Sequence, residues 1–124
     1  MNKERVIYKV FPEHRVVVAE IHGCKHDARD VVDGIMDNVT SSFYVCLRRS
    51  DERFLMDNTF KTTAHCHPDD IFDEEIGKKI ALKKLTEAYH RSLNKHVANY
   101  MKYFAAAADK MKEHLDKKHY MEGI

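Results

Sequence analysis

The stretch Lys78–Met121, KKIALKKLTEAYHRSLNKHVANYMKYFAAAADKMKEHLDKKHYM, contains neither glycine nor proline. One apolar stripe runs through it: Leu82, Leu85, Tyr89, Leu93, Val97, Tyr100, Phe104, Ala108, Met111 and Leu115. The steps average about 3.7 residues, the period of a helix face and not of a strand. A single helix over this stretch is roughly 60 Å long at about 1.5 Å per residue. The other two-thirds of the chain cannot cover such a stripe. A helix this apolar on one side folds back on itself or lies against another chain. Ser92-Leu93-Asn94 is where helix-indifferent polar residues cluster, so the spacing allows one long helix or two.

Upstream, the pattern changes to short strands around one helix. Arg5–Phe11 alternates Val6, Tyr8 and Val10 against Arg5, Ile7 and Lys9. Pro12-Glu13-His14 turns it into Arg15–His22, an antiparallel hairpin. Gly23 ends that strand. Asp27 is placed to cap a short helix to about Met36, with Val31, Val32, Ile35 and Met36 on one side. Ser41–Leu47 reads as a further strand, and Arg53–Met56 with Thr59–His65 as a hairpin around Asp57-Asn58. Asp69 or Asp70 is placed to cap the long helix, with Asp73, Glu74 and Glu75 at the positive end of its dipole. The expectation is a single α+β domain over residues 1–124. Residues 1–68 form a small antiparallel β-sheet core with one short helix, and 69–121 form one or two long C-terminal helices that pack in an oligomer.

Composition bounds the class. At 124 residues, 44% hydrophobic and 33% charged, the chain reads as one globular domain with a long solvated helix face. No run approaches the ~18 apolar residues of a membrane span. The N-terminus MNKERVIYKVF lacks the apolar core of a secretory signal. Cys24, Cys46 and Cys66 leave one cysteine over under any pairing scheme, so reduced thiols in a cytoplasm are expected. Residues 1–77 carry 10 Lys/Arg against 15 Asp/Glu, and residues 78–124 carry 11 against 5. This division into acidic head and basic tail has three readings: a solvated helix face, basic helices lying on another subunit's acidic head, or lysines that attract phosphate.

Motifs for chemistry are sparse. Cys24-Lys25-His26 and His65-Cys66-His67, with His22 near, hold metal-ligand types, but their spacing fits no zinc pattern. In a strand His65 and Cys66 point to opposite faces, so no metal site is expected. Cys66 between two histidines is not a triad, since neighbours in a strand cannot serve as nucleophile and base. The paired acids Asp69-Asp70 and Asp73-Glu74-Glu75 read as caps, and no glycine-rich phosphate loop exists. The chain is therefore read as a non-enzyme. Nucleic-acid binding is the rival function, through eleven Lys/Arg interleaved with Tyr89, Tyr100 and Tyr103. The acidic head and a sequence pI near 7.8 weigh against it, and no reading motif is legible.

Thr63–Leu85, TAHCHPDDIFDEEIGKKIALKKL, resembles short phage and prophage proteins in which a final strand runs through Cys-x-Pro-x-Asp and an FD…G…A segment opens a long helix. The whole layout is similar to that of the phage anti-Thoeris sponges, Thoeris anti-defence proteins of the first type. The resemblance implies a non-catalytic protein of the host bacterial cytoplasm that sequesters cyclic ADP-ribose isomers made by TIR-domain enzymes. It implies a homo-oligomer, dimer or hexamer, with cyclic oligonucleotides bound at a second site in some members, and no cofactor. By their chemistry, Arg29, Tyr89, Arg91, Asn94, Asn99 and Tyr103 are the ligand-binding candidates: arginine for the pyrophosphate, aromatic rings for adenine, amides for base edge and ribose hydroxyls. His90, Arg48, Arg49 and Arg53 are further groups of the same kind.

Overall fold

Strands rich in valine and isoleucine make the first hairpin. In the computed structural model, which describes residues 1–36 and 55–118, β1 (Val6–Phe11) pairs antiparallel with β2 (Val16–Ile21). Val6, Tyr8 and Val10 are half-buried, while Ile7, Lys9 and Phe11 face outward, as the alternation requires. A turn of 3-10 helix at Pro12–His14 joins the strands, and Arg15 closes it with φ 57°, a left-handed conformation uncommon outside glycine. The Arg15 guanidinium then donates to the carbonyl of His67 at 3.1 Å, tying this turn to the end of the sheet.

The third strand, β3 (Phe60–His65), pairs antiparallel with β2, giving the order β1-β2-β3. Among the described residues this replaces the hairpin expected around Asp57-Asn58, whose first residues, Arg53 and Phe54, lie outside them. Leu55–Thr59 is irregular, and the Met56 amide donates to the carbonyl of Lys25. β2 wins as partner because it is rich in valine and central, and Val17, Ala19 and Ile21 are fully buried there. The expected strand Ser41–Leu47, together with Cys46, Arg48, Arg49 and Arg53, lies outside the described residues.

Short helix α1 (Asp27–Met36) has the expected bounds but another buried face. Ala28 and Val32 point inward, whereas Val31 and Ile35 are exposed. Long helix α2 (Glu74–Lys118) runs unbroken through Asn94 for 45 residues, about 67 Å at helical rise. Its cap is Asp73, neither Asp69 nor Asp70: one Asp73 carboxylate oxygen accepts from the amides of Glu75 (2.9 Å) and Ile76 (3.3 Å). Four-residue steps from that cap set the docking face: Gly77, Ala81, Leu85, Tyr89. A β-carbon on Gly77 would stand 2.5 Å from Val17 Cγ2, so glycine is what lets the helix touch the sheet there. One turn on, the Thr62 hydroxyl donates to the Ala81 carbonyl at 2.7 Å.

The main core joins β2, Cys24, Ala28, Met56 and Ala64 to that helix face. A smaller cluster seats Val32 of α1 on Tyr100, with Val97, Tyr103 and Phe104 around them. The chain thus covers its own stripe as far as Phe104. Beyond, Ala108, Met111 and Leu115 are exposed. The fold is α+β, a small antiparallel sheet with a short and a long helix, and among the described residues no helix is long and apolar enough to cross a membrane.

Candidate functional site

Three places bear chemistry. The first is a part-buried polar knot where β1, α1 and α2 meet. Asp27 is the first residue of α1, yet its carboxylate does not cap the helix. It accepts from Arg5 Nη1 at 3.0 Å and from the Tyr89 hydroxyl at 2.7 Å. Arg5 also donates to the His22 carbonyl at 2.9 Å and lies 3.6 Å from Cys24 Sγ. Burial, the Asp27 hydrogen bond and its charge all raise the Tyr89 pKa far above that of an ordinary phenol. Burial likewise pushes the Cys24 thiol up, opposite to what a reactive thiolate needs. The knot fastens three elements and offers neither a base nor a nucleophile.

The second is a groove of about 640 Å³ between the end of β3 and the start of α2. Ile71, Phe72, Ile76 and Ile80 supply its apolar lining, and Asp69, Asp70 and Asp73 its charge. His65 and His67 reach it from the strand end. Cys66 lies beside them, its sulfur 3.6 Å from Arg15 Nη2. Among the described residues no three His, Cys, Asp or Glu side chains gather into a metal-binding set.

The third place is the set of ligand candidates read from the sequence, none of which lines the groove. Tyr89 is 4% exposed, its ring edge-on to Phe60 at 5.8 Å and its hydroxyl committed to Asp27. In the single chain it stands as a core residue and not as an exposed stacking platform. Arg91 and Asn94 stand exposed on the side of α2 turned from the sheet. Asn99 is half-buried on a flank, and Tyr103 packs its ring on Phe104 at 5.8 Å beside the Val32–Tyr100 contact. Arg29, on the α1 turn before Val32, is held by its own helix: Nη2 bonds Asp30 at 3.3 Å and Nε lies 4.0 Å from Asp33. Among the described residues, then, these groups are distributed around α2 and along α1, and none of them lines the groove.

Sequence reasoning missed the knot and the groove. Nothing in spacing announces that Asp27, Arg5 and Tyr89 meet, because they are separated by 22 and 62 residues. The groove had a signal: Ile76 and Ile80, four apart and off the main stripe, form a second apolar edge. Compared with family models, curated proteins and solved structures, the chain matches none.

Proposed function

We propose that this chain is a non-catalytic, homo-oligomeric capture protein that holds a cyclic ADP-ribose-type signalling nucleotide between subunits, in the cytoplasm of an infected bacterium. The observation that carries the reading is the half-covered helix: α2 is packed on its own chain to Phe104, and beyond it Ala108, Met111 and Leu115 are exposed. A second copy laid along that part of α2 would cover the stripe. It would also bring a second set of arginine, amide and aromatic groups to Arg91, Asn94, Asn99 and Tyr103. Among the described residues these groups lie around α2 and along α1, and an interface between two chains can gather them and take the nucleotide out of water. The ligand class comes from the resemblance of Thr63–Leu85 to phage anti-Thoeris proteins; a second site for cyclic oligonucleotides belongs to the same reading.

Calorimetric titration with cyclic ADP-ribose isomers tests it, followed by heat denaturation and analysis of what is released. Intact ligand is the expected result; linear ADP-ribose would replace the reading with a hydrolase. Arg29→Ala or Asn99→Ala should weaken capture by roughly 1–3 kcal/mol and leave the oligomer unchanged. If both variants bind as wild type, the interface site is wrong.

One observation favours the rival reading, nucleic-acid binding. Lys79, Lys83, Lys84, Lys95, Lys102, Lys110, Lys112 and Lys117 are all exposed along α2. Submicromolar binding to duplex or single-stranded DNA at about 0.15 M salt, with none to cyclic nucleotides, would select it.

A further inference from the structure

Two of the bare apolar patches on the molecule are opposite in charge. The first is the groove at the start of α2, where Ile71 is 93% exposed, Ile76 55% and Ile80 45%, beside Asp69, Asp70 and Asp73. The second lies near the other end of α2, where Met111 is 68% exposed and Leu115 40%. Helical periodicity arranges the neighbours of Met111 and Leu115 by charge. Lys110 and His114 border the pair in one shallow concavity, and Lys112 stands on the other side. Of the acids, Glu113 falls on the back of the helix, and Asp116 and Asp109 follow Lys112 around it. The exposed edge is thus apolar with a cationic border, and the groove is apolar with an anionic one.

We propose that the distal turns of α2, around Met111 and Leu115, insert into the β3–α2 groove of a second copy of this chain. The groove's volume of about 640 Å³ accommodates large side chains of this kind. Lys110 and Lys112 then face Asp69 and Asp70 across the apolar contact, and the pairing removes both bare patches from water at once. The same chain cannot make this contact with itself. Ile80 and Met111 lie on one unbroken helix, 31 residues apart, hence about 46 Å from each other. Reciprocal insertion closes a two-fold dimer, and one-way insertion builds a ring or filament. The proposal rests on the homo-oligomeric part of the function proposed above and not on the ligand.

The test uses full-length protein in a 1:1 mixture of unlabelled and 15N-labelled chains. Zero-length carbodiimide coupling, read by mass spectrometry, should join Lys110 or Lys112 to Asp69 or Asp70 in mixed-label peptides. In parallel, light scattering compares wild type with the pairs Ile76→Glu/Ile80→Glu and Met111→Glu/Leu115→Glu. All four positions are exposed in the single chain, so the folded circular-dichroism spectrum should persist. Each pair should weaken self-association at least about tenfold, the loss of about 1.4 kcal/mol or more. A wild-type monomer at micromolar concentration overturns the proposal and leaves the groove to another partner. Cross-links confined to one label, or an oligomer indifferent to both pairs, overturn it equally. Mixed-label cross-links in a protein that ignores cyclic ADP-ribose isomers would retain this contact and sink the ligand reading alone.

Discussion

The hydroxyl of Tyr89, about a third of the way along α2, donates to the carboxylate of Asp27 at the start of α1 across 2.7 Å and 62 residues of chain. Arg5 approaches the same carboxylate at 3.0 Å. One acid therefore holds the long helix, the short helix and the beginning of the sheet. A paired, part-buried carboxylate is costly to strand, which makes this knot more sensitive than the surface ion pairs of α2.

Tyr89→Phe keeps the ring in the core and removes only the donor. Its expected cost is about 1.5–3 kcal/mol, the range for a hydrogen bond to a charged group. Asp27→Asn should destabilise comparably, and the double variant by less than the sum, because both changes break the same contact. Urea midpoints of the three variants check this; strict additivity would mean that the two side chains do not interact.

The same contact sets an alkaline limit. Tyr89 has a pKa above the ordinary 10.0 because burial, first, and the Asp27 bond, second, favour its protonated form. The folded state therefore holds this proton more tightly than the unfolded chain does. The stability this supplies is full below about pH 10 and drains away as pH rises toward the raised folded value. Unfolding midpoints should stay level from pH 7 to 9 and fall above pH 10. Tyr89→Phe should remove part of that fall. A variant with the wild-type alkaline slope would show that other tyrosines cause it.

Gly77→Ala places a methyl 2.5 Å from Val17 Cγ2 and 3.2 Å from Val17 Cβ. Val17 is fully buried in the central strand and stiff at χ1, so the helix or the strand has to shift. Overpacking costs about 1–3 kcal/mol, against a gain of up to about 1 kcal/mol in helix propensity. A net loss is expected, and Val17→Ala in the same chain should recover much of it. Thermal unfolding of the two single variants and the double variant decides; a stabilised Gly77→Ala would mean that the contact relaxes freely.

That glycine also explains how much could be read in advance. The FD…G…A segment is Phe72, Asp73, Gly77 and Ala81: a half-buried ring packed against the core, a helix cap, a close approach and a fully buried alanine. This half of the motif on which the family resemblance rests is accounted for by packing and capping, so it speaks to fold first. Strand alternation in β1 and the long helical stripe were legible because each is a local periodicity of buried surface. The pairing of β3 with β2 was not, since partner choice depends on how buried β2 is, a property of the finished sheet. Nor was the fate of Tyr89. A tyrosine on a helix face reads equally as core or as platform until a distant carboxylate claims its hydroxyl.

Glu20 makes the acid-side prediction. It sits in β2 on the face turned from α2, its side chain 9% exposed, 3.1 Å from His22 Nε2, 3.4 Å from Lys9 Nζ and 3.9 Å from Lys61 Nζ. The hydrogen bond from His22 chiefly, and then the two lysines, hold its carboxyl below the ordinary 4.5, while burial works the other way. A depressed acid stabilises the fold in its charged form. That contribution is complete above about pH 4.5 and is lost as pH falls through the lower folded value. Glu20→Gln cannot make this transition, so its unfolding midpoint should fall less steeply than wild type below pH 4.5. At neutral pH the same variant should be less stable, and added salt should narrow the gap by screening the lysines. Denaturant curves from pH 7 to 3 at low and high salt measure both effects. Parallel acid limbs for Glu20→Gln and wild type would assign the acid sensitivity of the fold to other carboxylates.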